Sequence, residues 1–282
     1  MTASLRPRVM GIVNVTPDSF SDGGRFLDPR QGFEHARRLI AQGADILDIG
    51  GESTRPGAAP VSAEDEAARV LPLIEAIRAV SDIPISIDTM KPAVARAAVQ
   101  AGATIWNDVA ALRFSPDAPE VAADLGCEVV LMHMLGQPGN MQDEPRYDDV
   151  AAEVEAFLLA RAAAAMAAGV AREKIWLDPG IGFGKTLAHN LALLAALPRF
   201  VALGYPILLG ASRKRFIAGV DPSADQATDR LGGSLAAHLA GAAAGVAAVR
   251  VHDARETVQA LDVWAAIQAA AGTTVSDAAI PA

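Results

Sequence analysis

Short apolar runs recur along the chain, separated by longer stretches of helical periodicity. Residues 9–16 (VMGIVNVT) are apolar on both alternating faces, the pattern of a strand buried in a parallel sheet. Runs of the same kind return at Ile46–Gly50 (ILDIG), Ile85–Asp88 (ISID), 104–108 (TIWND), 128–133 (EVVLMH), Ile175–Asp178 (IWLD), 206–212 (PILLGAS) and 247–252 (AAVRVH). Helical patterns fall between them at 30–42, 64–80, 92–101, 150–168, 187–197, within 225–244 and at 255–270. The spacing Ser62-x-x-Asp65 marks the start of the second as a capping box. Eight strands alternating with helices predict a single α/β domain, a (β/α)8 barrel of the TIM type, for which about 250 residues is typical. A doubly wound open sheet is the rival. The barrel domain takes residues 1–272 and leaves 273–282 as a C-terminal tail.

The strand ends are where the apolar pattern breaks. Asn14, Asp48, Asp88, Asn107, His133, Asp178, Ser212 with Arg213 and Lys214, and Arg250 with His252 all stand at or just beyond them. A lone buried polar group costs about 1–3 kcal/mol unless paired, so this many at the C-terminal rim of a barrel predict a ligand that pairs with them. Asp48 and His133 read equally well as satisfied core residues. Asp88, Asn107 and Asp178 offer acceptors and an amide, which suits a flat heterocycle rich in N–H groups, and Lys214 suits its carbonyl oxygen. Arg250 and His252 stand two apart on one strand and share a face, beside a helix start with free N–H groups, an anion site; a surface ion pair of Arg250 with Asp253 is the alternative.

Two Gly/Pro-rich loops, 17–29 and 51–60, follow the first and second strands and read either as lids over a bound substrate or as plain connectors. The stretch 175–186, IWLDPGIGFGKT, places Asp178 on a strand end under a loop thin enough for a ligand to touch backbone. A phosphate loop of the pattern G-x-x-x-x-G-K-[ST] requires glycine where Pro179 stands. A structural turn whose aspartate only caps a helix is the remaining alternative.

Composition narrows the partners. With 282 residues, 51% hydrophobic and 20% charged, the chain builds a globular core. Its net charge of −9 is spread rather than blocked, which argues against nucleic acid and requires any anionic ligand to find a local basic cluster. Cys127 is the single cysteine, which excludes an internal disulfide framework and suits core filling in a reducing compartment. No apolar segment follows Met1–Arg8 as a secretory signal would require, and the apolar window 235–249 is too short to span a bilayer. A soluble, cytoplasmic protein with no membrane partner is the expectation.

Eight segments, GIVNVTPDSFSDGG (11–24), DIGGESTRPGA (48–58), SIDTMKP (86–92), WNDV (106–109), LMHM (131–134), LDPGIGFGK (177–185), GASRK (210–214) and VRVHD (249–253), resemble the dihydropteroate synthase family in order and at strand ends. Met90 departs from the pattern, where a serine or another small residue is usual. The resemblance implies condensation of 6-hydroxymethyl-7,8-dihydropterin pyrophosphate with p-aminobenzoate, with loss of pyrophosphate before the amine attacks. It implies a pterin site of Asp88, Asn107, Met132, Asp178 and Lys214. It implies a pyrophosphate site of Asn14, Thr54, Arg250 and His252, with Asn14 contacting Mg2+. It further implies a p-aminobenzoate site of Phe20, Thr54, Arg55, Pro56, Phe183 and Ser212, with Asp18 stabilising developing positive charge. Asp18, Thr54, Arg55, Lys214, Arg250 and His252 would be the catalytic set, sulfonamides the competing ligands, and a homodimer the assembly. A pterin-binding methyltransferase domain and an inactive copy are the rival functions; the first should lack the SRK segment and both loops.

Overall fold

The computed structural model describes residues 6–15, 29–53, 60–136, 141 and 144–272. Eight parallel strands form one sheet: β1 (Arg8–Asn14), β2 (Ile46–Gly50), β3 (Ile85–Asp88), β4 (Ile105–Asp108), β5 (Glu128–Met132), β6 (Ile175–Asp178), β7 (Leu208–Leu209) and β8 (Ala248–Val251). The hydrogen-bonded order is β6-β5-β4-β3-β2-β1-β8-β7, and a parallel bridge between Leu177 and Ile207 joins its two ends. That bridge closes the barrel and removes the open-sheet rival, which would leave two free edges. The helices are α1 (Pro29–Ala41), α2 (Ala63–Arg78), α3 (Pro92–Gln100), α4 (Ala118–Leu125), α5 (Val150–Ala167), α6 (Leu187–Ala195), α7 (Leu197–Val201), α8 (Phe216–Val220), α9 (Leu231–Ala244) and α10 (Ala254–Gly272).

The period of two divides each strand between two layers. Outward residues such as Val9, Val13, Leu47, Ile49, Ile87 and Leu131 pack in the layer between strands and helices. Inward residues Met10, Ile46, Ile105, Val130, Trp176, Leu208 and Ala248 fill the barrel's lower interior. Continuing the inward parity toward the C-terminal ends gives Asn14, Asp48, Asp88, Asn107, Met132, Asp178, Arg250 and His252. The inward face is thus apolar below and polar above.

Some local expectations change. β7 is two residues long rather than the seven read from PILLGAS, because Gly210 and the turn after it leave the ladder early. The short α4, α7 and α8 carry too few turns to show a period. At α2, Ser62 Oγ accepts the Asp65 N–H at 3.0 Å and bonds to the Asp65 carboxylate at 2.7 Å, so only half of the expected box forms. The full reciprocal box is at α6, where Thr186 Oγ1 accepts the His189 N–H at 3.2 Å and His189 Nδ1 accepts the Thr186 N–H at 3.3 Å. The longer parts of the two rim loops, 16–28 and 54–59, and the tail 273–282 lie outside the described residues. Among the described residues no helix is long and apolar enough to cross a membrane.

Candidate active site

A cavity of about 810 Å³ opens at the C-terminal end of the barrel. Asn14, Asp88, Asn107, Met132, Asp178, Phe183, Ser212, Lys214, Arg250 and His252 all line it. Among the described residues its walls carry six basic side chains (Lys185, Arg213, Lys214, Arg215, Arg230, Arg250) against three acidic ones (Glu52, Asp88, Asp178), so a chain of net charge −9 presents a locally basic mouth. This is the cluster that an anionic ligand requires.

The acceptors are individually fixed. Asp178 ends β6, and its Oδ1 takes the Gly180 N–H at 2.7 Å, closing the turn that follows. Asp178 also lines the cavity, so one carboxylate can cap the turn and still offer an acceptor to a ligand. Burial pushes Asp178 up to about 6, against the pull of that N–H and of Lys214 and Arg250. Asn107, on β4, donates its amide nitrogen to Asp48 Oδ1 at 3.3 Å, which turns its amide oxygen toward the cavity. Asp88 ends β3, directly beside Asn107 in the sheet register. Burial, reinforced by the neighbouring carboxylates, lifts Asp88 to about 7 in spite of Arg250.

The cations answer them. Arg250 reaches across the barrel from β8, its Nε 2.6 Å from Asp48 Oδ2 and an Nη 2.7 Å from Asp88 Oδ2. Burial alone would lower its pKa, but the two aspartates more than reverse that and hold it charged. The surface pair with Asp253 does not form, because Asp253 binds Arg213, 2.9 Å from its Nε. Burial lowers Lys214 to about 8, and its Nζ lies 4.0 Å from the centre of the Phe183 ring. His252 departs from the charged partner expected of an anion site. Burial, Arg250 and Arg213 lower it to about 3, so the free enzyme carries it neutral, with Nδ1 3.0 Å from Ser212 Oγ. It offers a hydrogen bond to a phosphate rather than a charge.

Other side chains take up different work. His133 turns away from the cavity, edge-on to Phe157 at 4.8 Å, with Nδ1 2.9 Å from Lys185 Nζ. Lys185 also donates to the carbonyls of Gly180 at 2.9 Å and Phe183 at 3.0 Å, so it binds the glycine turn from within. The turn's glycines serve that close packing more than ligand access: a Cβ at Gly180, where φ is +69°, would stand 1.9 Å from the His133 carbonyl oxygen. Met132 belongs to a buried patch with Val109, Met134 and Met141, and Met90 packs against it, which accounts for the departure at that position. Asp18, Phe20, Thr54, Arg55 and Pro56 lie outside the described residues.

Reading the motifs alone leaves Asp48 undecided and passes over Glu52, Lys91 and Glu66. Lys91 Nζ sits 2.6 Å from both Glu52 Oε2 and the fully buried Glu66 Oε2. Glu52 Oε1 in turn accepts the Val61 N–H at 2.9 Å, so one carboxylate joins the two ends of the second rim loop. The only sequence signal is that Glu52 and Lys91 fall inside matched motifs.

A closed barrel whose rim sets three acceptors beside a half-buried guanidinium is a site suited to a flat ring rich in N–H groups together with an anion. The model of the family "Pterin binding enzyme" matches residues 10–252. The dihydropteroate synthase of Escherichia coli strain K12 is 50% identical over 260 residues, covering 91% of this chain and 90% of that one. The Xanthomonas albilineans dihydropteroate synthase solved with 4-aminobenzoic acid is 53% identical, with a TM-score of 0.88 over 94% of each chain. The Yersinia pestis dihydropteroate synthase solved with a sulfonamide drug is 45% identical, with a TM-score of 0.89 over 94% of this chain and 95% of that one. The chain belongs to the dihydropteroate synthases.

Proposed function

We infer that the site joins 6-hydroxymethyl-7,8-dihydropterin pyrophosphate to p-aminobenzoate, giving 7,8-dihydropteroate and pyrophosphate. The observation that carries this reading is the juxtaposition of Asp88, Asn107 and Asp178 with Arg250 in one cavity. Ring N–H groups of the pterin donate to the two carboxylates and to the Asn107 amide oxygen. Lys214 donates to the ring carbonyl, and Met132 packs on the ring. The pyrophosphate lies toward Arg250, with the neutral His252 and Thr54 donating hydrogen bonds.

The carbon–oxygen bond to pyrophosphate breaks first, and its electron pair leaves with the phosphate oxygen. The exocyclic methylene is then a cation conjugated with the ring, stabilised by the aspartate carboxylates and by Asp18. The p-aminobenzoate nitrogen attacks that carbon, forming the new bond, and its extra proton passes to solvent or pyrophosphate. An arylamine needs no strong base to attack a cation. Phe20, Thr54, Arg55, Pro56, Phe183 and Ser212 form the amine's pocket in this reading, and a sulfonamide competes there.

Mg2+ is part of the same proposal. The Asn14 carboxamide lines the cavity and has no hydrogen-bond partner among the described residues. One hard oxygen is an adequate protein ligand for an ion that keeps several waters and binds through substrate phosphates. When bound, Mg2+ neutralises charge on the leaving pyrophosphate. A homodimer is carried over from the family resemblance. The experiment for the reaction is mass spectrometry of product from purified protein, the pterin pyrophosphate and p-aminobenzoate with Mg2+. Formation of 7,8-dihydropteroate is expected; binding of the pterin without product would favour the methyltransferase-like or inactive-copy reading.

A further inference from the structure

Asp48 is fully buried on β2, one inward position below the rim, and does not line the cavity. Its two oxygens nevertheless hold two residues that face the ligand. Oδ2 takes the Arg250 Nε at 2.6 Å, and Oδ1 takes the Asn107 amide nitrogen at 3.3 Å. These two bonds have different consequences. An ionised carboxylate only accepts, so it forces the Asn107 amide to present nitrogen downward and oxygen upward. The free oxygen then selects a ligand edge that donates N–H. The second bond anchors the guanidinium by its Nε, which leaves the Nη groups free to exchange partners. One of them sits 2.7 Å from Asp88 Oδ2. An arriving phosphate can draw that Nη away from Asp88, freeing the carboxylate for the pterin, while Asp48 keeps the rest of the side chain in place.

We propose that Asp48 is the positioning residue that couples the two halves of the site, orienting Asn107 for the pterin ring and Arg250 for the pyrophosphate. The inference deepens the synthase reading and rests on it. The test is binding of two probes, 6-hydroxymethyl-7,8-dihydropterin and inorganic pyrophosphate with Mg2+, to wild type, Asp48→Asn and the swap Asp48→Asn/Asn107→Asp. Asparagine matches aspartate in shape, and circular dichroism checks that each variant is folded.

In Asp48→Asn two amides face each other, so Asn107 no longer has a fixed orientation, and Arg250 loses a charge-assisted bond. Both probes should bind roughly tenfold or more weakly. In the swap, the amide introduced on β2 donates to the carboxylate introduced on β4, whose second oxygen again accepts from the ring. Pterin affinity should return toward wild type while pyrophosphate binding stays weakened. Unchanged dissociation constants in Asp48→Asn, including a loss confined to the amount of active protein, would overturn the inference. So would a swap that fails to recover the pterin. Wild type that binds neither probe would contradict the synthase reading itself.

Discussion

Asp178 does two jobs with one carboxylate. Oδ1 is committed to the Gly180 N–H, and in the proposed site the other oxygen accepts from the pterin most strongly when the group is ionised. Its pKa, pushed up to about 6 by burial, therefore sets a pH dependence with a definite sign. A raised carboxyl favours the folded free enzyme below the unfolded value near 4, and that contribution is lost as pH rises through about 6. In the proposed site the pterin acts in the opposite sense, because its N–H groups favour the ionised form. Pterin affinity should climb between about pH 5 and 7 and fall away on acidification. Asp178→Asn should weaken pterin binding by about 1.5–3 kcal/mol at neutral pH and remove the step near 6. Calorimetric titrations across that range check both, and a flat affinity profile in wild type would contradict the assignment. Asp178 could be singled out from the sequence because its strand and turn are local. Asp48 could not: its partners lie 59 and 202 residues away, and only barrel closure brings them together.

At the scale of elements, strands apolar on both faces hid which residues point inward, and what was readable was the strand's period of two. It correctly set Arg250 and His252 on the same face. The helices split by length. Long ones such as α5 and α10 have enough turns to show themselves, whereas α4, α7 and α8 are held by packing and leave little trace in the pattern. Tertiary links between elements were equally hidden. Lys91, just before α3, joins Glu66 on α2 to Glu52 beyond β2, in a setting where both carboxylates are nearly or fully buried. Breaking a buried pair leaves an uncompensated charge and costs about 3–5 kcal/mol. Lys91→Met should lower Tm accordingly, far more than Arg146→Met, which breaks only the exposed ion pair of Arg146 with Glu144. Equal Tm values for the two variants in a thermal melt would show that the triad contributes nothing net.

The whole molecule reconciles an acidic chain with a polyanionic substrate. Its net charge of −9 is distributed over the surface, while the barrel gathers Arg213, Lys214, Arg215 and Arg250 at one mouth. The fold does this by setting the basic run Arg213–Arg215, just after β7, beside Arg250 on β8, its neighbour in the closed sheet. Burial, together with the same crowding of cations that serves the anion, keeps a proton off the His252 imidazole in the free enzyme. The central claim is that pyrophosphate leaves before the amine arrives, driven by Arg250 and its neighbours. The direct measurement is pyrophosphate release from the pterin substrate in the presence of Mg2+, followed in a single turnover with and without p-aminobenzoate. Release should occur without the amine, with water taking the cation, and the amine should change the product rather than permit the departure. Release that is strictly dependent on p-aminobenzoate would contradict a dissociative first step.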